Sequence, residues 1–157
     1  MTGEDAYLEK AIDRYSPSVS ATARVALKKL GARFPGAIRS VYERRASLVI
    51  GLSPAAGGGA VFSLVLYPRW VRFFFLEGVA IEDPEGRLEG GGSQVRSLRV
   101  DERAAILDDE YIRALMAQAV TIAGADLRKG SGEIVLKSKL AASGSRPGAP
   151  RRRSGGR

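Results

Sequence analysis

Tyr67-Pro68-Arg69-Trp70, running directly into Val71-Arg72-Phe73-Phe74-Phe75-Leu76, is the stretch that decides the fold of this chain. Pro68 cannot donate to a β-ladder, so it ends the strand before it. That strand, Ala60 to Tyr67, alternates, with Phe62, Leu64 and Leu66 on one face and Val61, Ser63, Val65 and Tyr67 on the other. The span from Tyr67 to Val71 is short enough to predict an antiparallel hairpin. In its second arm, Val71 to Glu77, Phe73 and Phe75 share a face while Arg72, Phe74 and Leu76 take the opposite one. Apolar residues on both faces predict a central strand covered on both sides.

Working outward, residues 37–43 and 47–52 read as two further strands joined around Arg44-Arg45-Ala46, with Pro54 to Gly59 as a small-residue loop. Asp83-Pro84-Glu85-Gly86 and Gly90-Gly91-Gly92 mark a loop, after which Gln94 to Val100 returns to alternation. Three helices flank these strands. Residues 4–15 read as a short one. Ser16 as N-cap and Pro17 in the first turn start the second, which Gly31 and Pro35-Gly36 close. Asp108 is the expected N-cap of the third, whose apolar stripe Ile112, Leu115, Met116, Ala119, Val120 and Ala123 runs to about Gly124. Glu133 to Leu136 adds a last strand. The expected fold is α+β: an antiparallel sheet of five to six strands packed by N-terminal and C-terminal helices.

The 157 residues suit one domain, read as 1–140, followed by a disordered basic tail at 141–157. The formal charge of +8 is unevenly spread: residues 1–128 carry 17 bases and 16 acids, residues 129–157 eight bases and one acid. The chain has no Cys and no His, which excludes disulfides, thiolate metal sites and His-based triads. No apolar run reaches the roughly 18 residues of a membrane span, and a cytoplasmic location is expected. Gly90-Gly91-Gly92 is not a phosphate loop, because no Walker Lys follows it.

The Pro17-containing helix, the Phe34-Pro35-Gly36 break, Tyr42, the Tyr67-Pro68-Arg69-Trp70 corner, Leu88-Glu89-Gly90 running into Gln94-Val95-Arg96, and Leu136-Lys137-Ser138 together resemble the YdhG-like family, a domain of unknown function. The similarity covers roughly residues 5–139. It implies a compact α+β fold with an antiparallel sheet packed by helices. One member is a frataxin-like intracellular iron chaperone, and none of the shared motifs is a catalytic signature.

Three candidate sites follow, and none calls for an enzyme. Tyr42, Tyr67, Arg69, Trp70, Gln94, Arg96 and Arg99 form a polar sheet row whose guanidinium groups suit a small anionic ligand, or a protein partner. The plainer alternative is a solvated sheet face, with Trp70 filling a core corner. Asp5, Glu9 and Asp13 fall at i, i+4, i+8 and offer carboxylates to iron or another hard cation, the runner-up function that the resemblance suggests. The alternative there is an exposed helix face with acids near its N-terminus. The tail, with Lys137, Lys139, Arg146, Arg151, Arg152, Arg153 and Arg157, would attract any polyanion, as a nucleic-acid tether or as a solubilising extension. The acids Glu77, Glu82, Asp83, Glu85 and Glu89 cluster in sequence around a loop, where solvation explains them.

Overall fold

A computed structural model describes residues 2–137. The tail at 141–157 lies outside the described residues. Helix α1 (Gly3–Asp13) begins at a capping box: Thr2 accepts from the Asp5 amide, and the Asp5 carboxylate accepts from the Thr2 amide. Helix α2 (Pro17–Arg33) begins as expected, with Ser16 accepting from the Val19 amide and Pro17 in the first turn. It does not stop at Gly31, because Leu30 is buried in the core and the Phe34 amide still donates to the Leu30 carbonyl. The buried Ser20 hydroxyl donates to the Ile12 carbonyl at 2.7 Å and pins the corner between the two helices.

Six strands follow: β1 (Ile38–Arg44), β2 (Ser47–Ser53), β3 (Phe62–Leu66), β4 (Val71–Phe75), β5 (Arg96–Val100) and β6 (Ile134–Leu136). They form one sheet in the order β5-β4-β3-β2-β1-β6. Five strands are antiparallel neighbours, and the β3–β4 hairpin pairs Phe62 with Phe75, Leu64 with Phe73 and Leu66 with Val71. The expectation of a purely antiparallel sheet needs one correction: β6 pairs parallel to β1. The chain reaches it only after the third helix, α3 (Glu110–Ala123), by a crossover rather than a hairpin.

Asp109, not Asp108, caps α3, accepting from the amides of Tyr111 and Ile112. Asp108 instead ends a 3-10 turn (Ala105–Asp108), where it pairs with Lys29 at 2.7 Å and Arg33 at 3.4 Å. Gly124 closes α3 in the left-handed conformation.

The core lies on one face of the sheet. Val41, Leu48, Ile50, Leu64, Phe73 and Leu98 share it with buried residues of all three helices, among them Ile12, Ala23, Ala26, Ile112 and Leu115. Its centre is aromatic: Phe62 stacks on Phe34 at 5.3 Å and on Phe73 at 5.1 Å, while Phe75 meets Phe62 and Phe73 edge-on. This corrects the expectation that β4 is covered on both sides. Phe73 and Phe75 are fully buried, but Arg72 and Phe74 on the other face are only half-buried.

A backbone crossing ties β6 down. The Gly36 amide donates to the Leu127 carbonyl at 3.0 Å, and a Cβ at Gly36 would meet Lys129 backbone atoms at 2.3 to 2.6 Å. Only glycine permits this approach.

Candidate ligand-binding site on the uncovered sheet face

Side chains alternate across a strand, so the register assigns each residue to a face. The face turned away from the helices has the cross-strand row Tyr42–Val49–Val65–Arg72–Arg99 and, next to it, Ser40–Gly51–Ser63–Phe74–Ser97. Tyr67 continues β3 on this parity and Trp70 precedes β4 on it. The Tyr67 amide donates to the Trp70 carbonyl at 2.9 Å and closes the hairpin. Four aromatic residues therefore share the face: Tyr42, Tyr67, Trp70 and Phe74. Trp70 is 41% exposed and lies under the Arg99 guanidinium, 5.2 Å from its ring. Arg44 sits over the Tyr42 ring at 5.5 Å.

Charge on this face is mainly positive. Arg72 is the exception, since it pairs with Glu89 at 2.6 Å and donates to the Ser97 hydroxyl at 3.1 Å. Arg44, Arg69 and Arg99 have no carboxylate partner among the described residues. Asp101, just past β5, is committed elsewhere, accepting from the Ala105 and Ile106 amides. Burial raises its pKa, but these amide bonds outweigh that and leave it below the ordinary carboxylate value.

Of the seven residues expected to form the polar row, Tyr42, Tyr67, Trp70 and Arg99 do share this face, and Arg69 sits exposed at the hairpin tip beside them. Trp70 is not a core filler. Gln94 and Arg96 belong elsewhere. Arg96 has the parity of Leu98 and faces the helix side, with its stem against Gly78 and its guanidinium bonded to the carbonyls of Gly92 (2.7 Å) and Val95 (2.8 Å). Gln94 lies before β5, in the loop, where its carbonyl accepts from the Val79 amide. Sequence reasoning missed Arg44 and left Arg72 and Phe74 out of the site. Their spacing was the available signal: Trp70, Arg72 and Phe74 fall at i, i+2, i+4.

The acidic stripe does not converge. Asp5 is held by Thr2, whose hydrogen bonds keep its carboxyl below the usual range. Glu9 and Asp13 both pair with Arg24, at 3.1 and 2.5 Å. Among the described residues, no group of three or more acids is placed to hold a metal ion.

A cavity of about 900 Å³ lies between the Pro54–Ala60 loop, the end of α3 and the turn at 124–130. Glycine and alanine dominate its lining. Asp126, its one acid besides Glu77, spends its carboxylate on the amides of Arg128 and Lys129. It offers few of the convergent polar groups that fix a ligand.

No helix among the described residues is long and apolar enough to cross a membrane. Comparison with protein-family models, with curated proteins and with solved structures finds no match.

Proposed function

We propose that this chain is a non-enzymatic binding domain of YdhG-like type, and that it binds an anionic ligand with a planar group on the uncovered face of its sheet. The α+β architecture agrees with what that family implies and supports this part of the reading. The observation that carries the binding reading is the Arg99–Trp70 pair. It sets an exposed guanidinium without a carboxylate partner on the chain's single Trp. A guanidinium on an aromatic ring offers charge and a stacking plane in one place.

Trp70 also supplies the assay. Its emission should change saturably on titration with a nucleoside monophosphate and less with inorganic phosphate, and Arg99→Gln should weaken the response. Amide shifts in a heteronuclear spectrum should centre on Tyr42, Ser63, Val65, Ser97 and Arg99. Shifts confined to the Pro54–Ala60 loop and the end of α3 would move the site to the cavity and reject this reading.

A further inference from the structure

We infer that the open edge of β6 pairs with a second copy of this chain, the two β6 strands running antiparallel about Val135 and joining two six-stranded sheets into one. The inference concerns the sheet edge and does not rest on the ligand face. β6 runs parallel to β1, with the Arg39 amide bonded to the Glu133 carbonyl and the Lys137 amide to the Val41 carbonyl. In such a ladder, alternate residues of a strand turn their N–H and C=O groups to the neighbour. Val135 therefore faces β1. Ile134 and Leu136 turn theirs outward, where no described residue bonds them.

The two edges of the sheet differ. At β5 a bridge to Glu89 occupies the outer side of Ser97, with bonds of 2.7 and 2.8 Å, and Arg99 follows as an exposed charge. Cover and charge of this kind keep an edge from pairing with another chain. At β6 no described segment pairs with the outer side, and Val135 and Leu136 are 38% and 39% exposed.

The order of residues selects a second copy as the strand that pairs there. Centred on Val135, an antiparallel pair sets Ile134 opposite Leu136 of the second copy and Glu133 opposite Lys137 of the second copy, on both sides of the axis. Every outward N–H and C=O group of Ile134 and Leu136 then finds a partner. Ile134 and Leu136 share the face of Arg39 and Val41, so they meet on the helix side, where Ile134 also lines a cavity of about 480 Å³ with Leu8 and Leu27. Val135 shares the face of Ser40 and meets its own copy on the uncovered side, between the charged pairs. Glu133 and Lys137 are exposed, and neither has an ion-pair partner among the described residues. Centring the pair on Ile134 or Leu136 instead would set a charge against Val135. Directly opposed apolar residues and opposite charges stabilise a strand pair, and like charges destabilise it.

The test is sedimentation velocity of the full chain over a concentration series, with hydrogen exchange at both ends of the series. The interface is small, so the dimer should be reversible, with a dissociation constant on the order of 10–100 μM. The Ile134 and Leu136 amides should gain protection only at high concentration, while the Val135 amide, which faces β1, stays as it is. Lys137→Glu and Glu133→Lys should each weaken the dimer by about five-fold or more, because each sets like charges opposite one another on both sides of the axis. The two substitutions together exchange the charges and should restore the parent affinity to within about three-fold. Val135→Glu places two carboxylates opposite each other at the axis and should leave only monomer.

A parent chain that stays monomeric throughout the series would overturn the inference and make Lys137 a charge that guards the edge. A dimer that survives Val135→Glu, or whose Ile134 and Leu136 amides exchange as fast as in the monomer, would overturn it by placing the contact on another surface. Single charge reversals that leave the dimer unchanged, or a double exchange that fails to restore it, would overturn the register centred on Val135. Val135 is exposed in the monomer, so in dilute solution Val135→Glu should melt within about 2 °C of the parent, which separates loss of pairing from loss of fold.

Discussion

Replacing Gly36 by Ala should unseat the C-terminal edge of the sheet. The added methyl carbon would lie 2.3, 2.5 and 2.6 Å from the carbonyl carbon, oxygen and nitrogen of Lys129. Carbon atoms pack at about 3.5 Å or more, so the backbone must retreat by roughly 1 Å. It cannot do so for free. The crossing segment is anchored by Gly36 to Leu127 at 3.0 Å, by the Arg39 amide to Glu133 at 2.9 Å and by the Arg39 guanidinium to Gly132 at 2.7 Å. Leu127 itself is buried in the core. Overpacking of this kind costs ~1–3 kcal/mol, and each hydrogen bond lost adds about 1 kcal/mol. With two bonds lost the total is roughly 3–5 kcal/mol, which lowers the melting temperature of a domain this size by roughly 10–15 °C.

The matched control is Gly31→Ala, five residues earlier. There a Cβ meets nothing within 4 Å and the residue is helical, so alanine should stabilise by ~0.5–1 kcal/mol. Thermal unfolding by circular dichroism gives the two signs, and hydrogen exchange at the Arg39 and Lys137 amides locates the damage. A Gly36→Ala protein melting within about 2 °C of the parent, with those amides still protected, would refute the steric argument.

Tyr111→Phe removes a hydroxyl that donates to Asp83 at 2.5 Å and accepts from the Glu85 amide at 2.9 Å, so urea unfolding should show a loss of about 1 kcal/mol. The same Asp83 should shape the acid limb of stability. Burial raises its pKa, but the Tyr111 hydroxyl and the amides of Leu88, Arg87 and Gly86 outweigh this and leave the folded value below the unfolded one. A depressed carboxyl contributes stability that is present above about pH 3.9 and is lost as pH falls through the folded value. Asp83→Ala should therefore reduce stability at neutral pH and flatten its decline below about pH 4, and an unchanged acid limb would refute this. On α1, Arg24→Gln should cost under about 1 kcal/mol, since both of its ion pairs are exposed. Ferrous-iron calorimetry should give the same trace for the parent and for Asp5, Glu9 and Asp13 replaced together by Asn, Gln and Asn. A saturable site lost in the variant would restore α1 as a metal site.

The elements were legible where local chemistry was unambiguous. Ser16-Pro17 fixed the start of α2, Pro68 ended β3, and Gly124 closed α3. The parallel partner of β1 was not legible, because a three-residue strand after a crossover leaves no turn signature. Nor was the 3-10 turn that moved the α3 cap from Asp108 to Asp109. The site was half legible. Arg96 and Arg99 are three residues apart in one strand, so their spacing alone places them on opposite faces. That Tyr67 and Trp70 share a face was not readable, because it depends on how the two residues between them turn.

Arg72 and Arg99 are neighbours in register, yet they should not behave alike when replaced. Val49 and Val65 lie on the face without helices but are only 5% and 6% exposed, and neither belongs to the main core. Their row partners are Tyr42 and Arg72, so the phenol ring and the half-buried arginine stem act as their cover. Arg72→Ala would strip that cover from Val65 and leave Glu89 without its partner, at a cost of about 1 kcal/mol. Arg99 is exposed, and its described contact is the Trp70 ring. Arg99→Gln should then leave the melting temperature within about 2 °C of the parent while weakening the ligand response. If Arg99→Gln destabilised the protein as much as Arg72→Ala, the face would be a structural surface closed by its own side chains. If only Arg72→Ala destabilises, the sheet covers its own valines and leaves Arg99 and Trp70 free for a ligand.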